Sequence, residues 1–339
     1  MDLPARPDLA QLRRQAKELL RAARAGEPAA AARLAAITEQ PTLSAAQLAI
    51  ARAYGFPGWT ALKTEVERRD LLNRRDLDGL RALLARQPGQ AAQMMRGWRD
   101  HPRGAGPLGY LAMLRFDAAR LGLAGPLPGT GAAARLLIEA GAPVDGLPGD
   151  PETPLITAAS YGDAEVAAVL VRAGADLEAT AAPDAGGVPG GTALVHAAVF
   201  GMTEVLDVLL AAGARVGGLA EAAAAGDLSG RSPADAPLIE RVRALAMAAD
   251  HERLGVIDEL LDAGTPVDAE DHAYRRQALR LAAANGRAAS VAHLLRRGAD
   301  PRLRDPVEQR TALEWCRRGR PGESPGHDRV EALLREALG

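Results

Sequence analysis

The chain has 339 residues with 41 basic against 43 acidic side chains, a formal charge of -2 and only 3% aromatics. That length allows two ordinary globular domains or one long repeat array, and the charge balance gives no drive towards nucleic acid or an anionic membrane. No stretch approaches a membrane span, the opening MDLPARPDLAQLRRQAKELL lacks the apolar core of a signal peptide, and the single Cys316 excludes an internal disulfide. A cytoplasmic protein is the expectation. Among the basic residues only Lys17 and Lys63 are lysine, an excess of arginine that suits a GC-rich coding bias better than a choice for phosphate. Abundant Ala with so few aromatics suits closely stacked thin helices.

Residues 1–70 spell out four helices. Asp8 to Arg24 is amphipathic, with Leu9, Leu12, Ala16, Leu19 and Leu20 at helical spacing and Arg13, Arg14, Lys17 and Arg21 mostly outside. Gly26-Glu27-Pro28 ends it and starts a second helix through Ile37. Ser44 with Gln47 makes a capping box for a third, ending at Tyr54-Gly55. Phe56-Pro57-Gly58-Trp59 restarts a fourth, through Thr64 to Arg69, with Phe56 and Trp59 expected to seal this cap against the rest of the chain. The segment resembles short helical modules that front some bacterial repeat proteins.

Residues 71–88 hold one helix, around Asp78 to Leu84. A connection from Pro88 to Gly106, containing Met94, Met95, Trp98 and His101, is too long and too apolar for a plain linker. Gly106-Pro107-Leu108-Gly109-Tyr110-Leu111-Ala112 opens another helix, and an insertion, Phe116 to Pro128, precedes its partner at Ala132–Ala140.

From there a period is explicit. Gly141, Gly174, Gly213, Gly264 and Gly298 each end a helix, at separations of 33, 39, 51 and 34 residues. The preceding helices are announced by Thr153-Pro154-Leu155, Thr192-Ala193-Leu194, Gln277-Ala278-Leu279 and Thr311-Ala312-Leu313, and Gly-Ala-Asp closes the units at Asp176 and Asp300. Pro just inside a helix, Gly just after it and Asp163 as an N-cap are helix punctuation with a mechanism. A period near 33 with T-P-L-x-x-A-A and G-A-D resembles the ankyrin repeat. The resemblance covers roughly 71–338 and is most specific over Pro151–Ala214 and Val242–Asp300. It implies an all-α solenoid of helix-turn-helix repeats with short β-hairpin fingers, 71–339, irregular at 87–130 and 215–240 and preceded by the helical segment 1–70.

The departures are specific. Ile156, Val195, Arg280 and Glu314 stand where the family carries His after Thr-Pro-Leu, so its bond to the turn is expected to be lost. The finger Glu178–Gly191 is six residues too long, while the next is nearly deleted at Gly213–Gly218, which predicts a notch. SGRSPADAPL replaces an outer helix. The array is expected to end in a broken loop, Arg317–His327, and a capping helix, Asp328–Leu338.

No phosphate loop, dinucleotide fingerprint, H-E-x-x-H or paired-cysteine metal site is present. No cofactor and no metal is expected. The six histidines share no ligand spacing, and Cys316 stands where the repeat places a small Ala, a buried hydrophobe's position. The resemblance implies partner contacts at the finger tips and at the inner-helix residues between the Ala pair and the following Gly. Carried over, these positions include Leu114, Tyr161, Phe200 and His251, with Tyr110 and His196 on the same helices and Arg115 in the irregular segment. Tyr161 and Phe200, equivalent in adjacent repeats, either anchor a partner or stack on each other. Arg275, Arg276, Arg302, Arg304, Arg310, Arg317 and Arg318 make the C-terminal half charged.

The resemblance therefore implies a non-enzymatic intracellular adaptor that binds another protein, with neither nucleic acid nor membrane as partner. The alternative is a small-molecule-binding or catalytic protein whose pocket is closed by the insertion at 87–128, rich in Trp98, His101, Tyr110, Arg115 and Phe116. Self-association through the same surfaces is a third reading.

Overall fold

The computed structural model describes residues 3–95, 104–123, 127–319 and 324–339. The chain packs as two units, Met1–Ala158 with Glu165–Ala175, and Ala159–Ala164 with Asp176–Gly339.

The first unit opens with α1 (Leu9–Arg24), α2 (Pro28–Ala35), α3 (Leu43–Ala53) and α4 (Trp59–Arg74). Asp8 Oδ1 caps α1 by accepting from the Ala10 N–H at 2.7 Å, and Pro28 starts α2 with φ already set. The cap of α3 is Thr42, not Ser44. Thr42 has the extended backbone a cap needs and accepts from the Ala45 N–H at 3.2 Å, while the Ser44 hydroxyl only bonds that of Thr42. Leu12, Ala16, Leu34, Ala46, Ile50, Leu62 and Val66 form the core of these helices. Phe56 and Trp59 pack onto that same core, closing the four helices on themselves where a seal against the repeats is expected from sequence. Each fully buried Leu or Ile here contributes about 1.5–3 kcal/mol.

Helix α4 continues past Arg69 because Leu72 and Asn73 still have a face to bury, and it ends at Arg75 in left-handed conformation, φ 53. It packs on α3 and on α5 (Leu77–Arg86). A 3-10 turn at Pro88–Ala91 and an antiparallel bridge between Met95 and Ala105 follow. Next come α6 (Pro107–Met113), a run of turns to Gly122, and α7 (Thr130–Glu139), which packs on α5 and α6. Trp98 and His101 lie outside the described residues. The most regular repeat supplies α8 (Pro154–Tyr161) and α9 (Ala164–Arg172), with Gly162 and Gly174 at φ 78 and 86 just after them.

The second unit contains α10 (Ala193–Val199), α11 (Thr203–Ala211), α12 (Leu219–Ala225), α13 (Leu238–Asp250) and α14 (Leu254–Asp262). Two-residue strands β1 (Glu270–Asp271) and β2 (Arg276–Gln277) make an antiparallel finger with Glu270 opposite Gln277. They lead into α15 (Ala278–Ala284), α16 (Ala288–Arg296), α17 (Ala312–Gly319) and α18 (Pro325–Leu338). Helices α10, α12, α13 and α15 each carry two alanines, Ala197-Ala198, Ala222-Ala223, Ala248-Ala249 and Ala282-Ala283, all buried. These small side chains let α13 lie against both α12 and α15, and α15 against α17. Leu209, Leu245, Ile257, Leu260, Leu279 and Leu294 fill the layer between first and second helices.

Three details depart from expectation. The terminal helix starts at Pro325, three residues before Asp328, Pro being well suited to the first turn. The shortened finger is held from below, where Arg231 Nη2 donates to the carbonyls of Val216 and Gly217 at 3.0 and 2.9 Å. In the repeat of Val195 the turn bond expected to be lost is made one position along, by His196.

Candidate functional site

Three of the sequence candidates belong to the first unit. Tyr110, on α6, is 2% exposed, and its hydroxyl donates to Asn73 Oδ1 at 2.6 Å. Burial pushes its pKa up to about 12. Leu114 is fully buried. Arg115 is half-buried and bonds Glu165 Oε1 at 2.7 Å, while Glu165 Oε2 accepts from the N–H groups of Gly129 and Gly131 at 3.0 and 3.3 Å. A carboxylate at the start of α7 meets the positive end of the helix dipole, so Arg115 tethers the turns after α6 to a capped helix.

The other four belong to the second unit. His196 is fully buried; its Nδ1–H donates to the Thr192 carbonyl at 2.9 Å and its Nε2 accepts from the Val188 N–H at 3.0 Å. The pattern fixes the tautomer and pins the long finger to the start of α10, because residue i+4 on a helix reaches back to the carbonyl at i. Replacing His196 with Ala will cost about 2 kcal/mol, since a buried N–H and carbonyl lose their partner. Faster hydrogen exchange at the Val188 amide, with α15 amides unchanged, is the measurement that checks it.

His251 is 2% exposed; its Nε2–H donates to the Ala198 carbonyl and its Nδ1 accepts from the Thr203 hydroxyl, both at 2.9 Å. Burial lowers its pKa, with the Ala198 bond and the Asp250 charge opposing. Asp250, itself fully buried, accepts from Asn285 Nδ2 at 2.7 Å and pairs with Arg287, which also reaches the Gly201 carbonyl. A third histidine, His327, repeats the device, with Nε2–H on the Ala284 carbonyl at 3.0 Å and Nδ1 on the Ser324 hydroxyl. Cys316 is buried, and its thiol bonds the His327 carbonyl.

Phe200 and Tyr161 remain nearer the surface. Phe200 is 38% exposed and its ring lies 6.1 Å from that of His196, while Tyr161 is half-buried. Arg276 crosses beside Phe200, with Nη2 donating to the Val199 carbonyl at 3.2 Å and Nη1 directed at Met247 Sδ.

The arginines of the C-terminal half are mostly neutralised at home. Arg304 pairs with Glu314, Arg310 and Arg318 with Glu308, and Arg317 with Glu331, while Arg302 donates to the Leu338 carbonyl. Apolar side chains at the fingers stand out instead: Tyr274 is 65% exposed, Val307 57% and Leu303 40%. None is conspicuous in sequence, and finger-tip position was the available signal. The Arg243 guanidinium lies 5.0 Å from the Tyr274 ring and bonds Asp271 at 2.7 Å, so that tip is presented by a fixed support. Asp305 braces the next finger: burial would raise its pKa, but the N–H groups of Glu308 and Arg310, the Trp315 indole and the Val307 N–H together hold it at about 2.

Among the described residues no group of three or more His, Cys, Asp or Glu is placed to hold a metal ion, and no helix is long and apolar enough to cross a membrane. What the second unit offers is a surface: rigid, largely charge-paired, with aromatic and aliphatic side chains projecting from inner helices and finger tips.

Residues 127–218 match the family model described as ankyrin repeats (3 copies). Residues 127–218 thus carry ankyrin repeats, and the helix pairs and fingers above are of the all-α repeat class. Among solved structures, the human ASB11 ankyrin repeat domain is similar at 21% identity and a TM-score of 0.33, over 69% of this chain and 98% of that one, a likeness too loose to carry an argument. No curated protein matches the sequence.

Proposed function

We propose that this is a non-enzymatic cytoplasmic adaptor that binds a partner protein through the inner-helix and finger surface of its second unit, with residues 1–70 serving as a helical cap. The observation that carries this reading is the exposure of Phe200, Tyr274 and Val307 at an inner-helix end and at finger tips. Aromatic side chains held on rigid supports are the residues that dominate protein interfaces. The paired arginines around them form a polar rim that disfavours non-specific binding to acidic surfaces. Ankyrin repeats generally serve as protein-interaction modules, in keeping with this surface.

The test is affinity capture from a lysate of the source organism, comparing wild type with Tyr161→Ala/Phe200→Ala and with Phe200→Ala/Tyr274→Ala. A partner retained by wild type and reduced at least tenfold with the second pair is the expected result, each anchor being worth about 1–2 kcal/mol. Identical capture by all three proteins would count against this face.

A further inference from the structure

A half-open cleft of about 1080 Å³ runs along α4 in the first unit, between that helix, the segment leading into α1 and the turn residues Leu121 and Leu123. Its volume lies just above the usual range of small-ligand sites, about 300–1,000 Å³. Two polar side chains in its wall are more than nine-tenths buried: Thr64 is 5% exposed and Asn73 9%. Asn73 spends its carbonyl oxygen on the Tyr110 hydroxyl, which leaves its amide N–H groups without an acceptor among the described residues. The Thr64 hydroxyl is likewise unpartnered there. Neither group is among those sealed from solvent without a partner, so both face the cleft as hydrogen-bonding groups open to water or to a ligand atom.

The charges around the mouth point to the sign of that ligand. Glu67 is held by Arg86 at 3.0 Å, Asp70 by Arg74 at 3.1 Å, and Asp8 is occupied in capping α1. Arg6 and Lys63, which also line the cleft, have no acidic partner among the described residues. Arg6 lies against Gly122, where a Cβ would fall 2.5 Å from its Nη1, so the guanidinium is seated beside the apolar wall of Leu121 and Leu123. Val66 and Leu9 complete that wall. The cleft thus joins two unbalanced cations, an amide donor and a hydroxyl to an apolar surface.

We propose that this cleft binds an organic carboxylate with an apolar body, a function separate from partner binding by the second unit. The cations and the Asn73 amide take the carboxylate, and the leucines and Val66 take the body. Inorganic phosphate satisfies the charge but leaves the apolar wall uncovered, and is the discriminating control.

The experiment is calorimetric titration of the full chain with decanoate below its micelle concentration, and separately with inorganic phosphate. Saturable binding of one decanoate per chain is expected, at least tenfold weaker in Arg6→Gln/Lys63→Gln and abolished in Thr60→Trp, which fills the mouth from an exposed position. Thr64→Val, close to the same shape, will weaken binding about threefold, and Phe200→Ala will leave it unchanged. Absence of saturable decanoate binding to wild type overturns the proposal. So does an affinity untouched by Thr60→Trp, or phosphate binding as tightly as decanoate. Thr60→Trp and Thr64→Val keep the test decisive if the double variant does not fold.

Discussion

Replacing Glu65 by Leu will destabilise the first unit by about 3–5 kcal/mol, the range for breaking one side of a buried ion pair. Glu65 is 4% exposed on α4 and sits between Arg68, fully buried, and Arg69, 3% exposed. It pairs with Arg68, and its Oε1 bonds Arg69 Nε at 2.7 Å. Arg68 is further committed, its Nη1 donating to the carbonyls of Gln90 and Gln93 at 2.7 and 2.9 Å, so it holds the connection after α5 onto α4. Burial lowers the Arg68 pKa and the Glu65 carboxylate opposes it; remove the carboxylate and two guanidinium groups stay in a buried site with that counter-charge gone. Glu65→Gln keeps the shape without the charge and should fall between the two. The double variant Glu65→Leu/Arg68→Met should recover a good part of the loss, since an apolar pair of similar volume carries no desolvation cost. Urea unfolding of the four proteins, with hydrogen exchange read on peptides from residues 59–95, measures the cycle. A loss under about 1 kcal/mol for Glu65→Leu would mean the cluster is worth no more than a surface pair.

That cluster also marks the limit of what the sequence makes legible. Thr-Pro-Leu before a helix and Gly after it act through the local backbone, so α8, α9, α10, α15 and α17 begin where their residues say they should. The exposure of Phe200 follows from its position in the repeat for the same reason. Burial of Leu114 and His251 does not. Their repeat position belongs to the partner-facing row, yet Leu114 is buried at the start of an aperiodic run of turns, and His251 is turned inward onto Ala198 and Thr203 of an earlier repeat. Arg68 and its acceptors are 22 and 25 residues apart in an aperiodic stretch, and no pattern announces such a pairing.

His196 makes the complementary point. The family's usual His position holds Val195, so alignment alone implies a missing bond, whereas helix geometry lets the next residue reach the Thr192 carbonyl and close the longer finger on itself. The chemistry of the turn is kept while the register shifts by one. The exposed set Tyr274, Leu303 and Val307 was hidden differently: each is a single apolar residue among arginines, and only the pairing of those arginines with Glu308, Glu314 and Glu331 leaves the apolar side chains as the distinctive surface.

Acidification will weaken the second unit through His251, and a variant at that position will weaken it at every pH. In the unfolded chain the imidazole titrates near pH 6.5; in the folded chain burial lowers that value, with Arg287 and Arg253 adding repulsion and Asp250 attraction. The folded-state pKa is therefore the lower one. The His251 contribution is fully present above about pH 6.5 and is lost as pH falls towards the folded value, because the unfolded state takes the proton first. The slope cannot exceed about 1.4 kcal/mol per pH unit for one proton. His251→Leu removes the titration but strands the Ala198 carbonyl and the Thr203 hydroxyl, costing about 2–3 kcal/mol at pH 8. Urea midpoints of wild type and His251→Leu from pH 8 to pH 5 separate the two effects. The gap between the curves should narrow as pH drops, since only wild type loses this term, while contributions from groups common to both proteins cancel in the difference. Parallel curves would mean that the buried imidazole is protonated as readily folded as unfolded, and that its bonds to Ala198 and Thr203 do not hold it neutral.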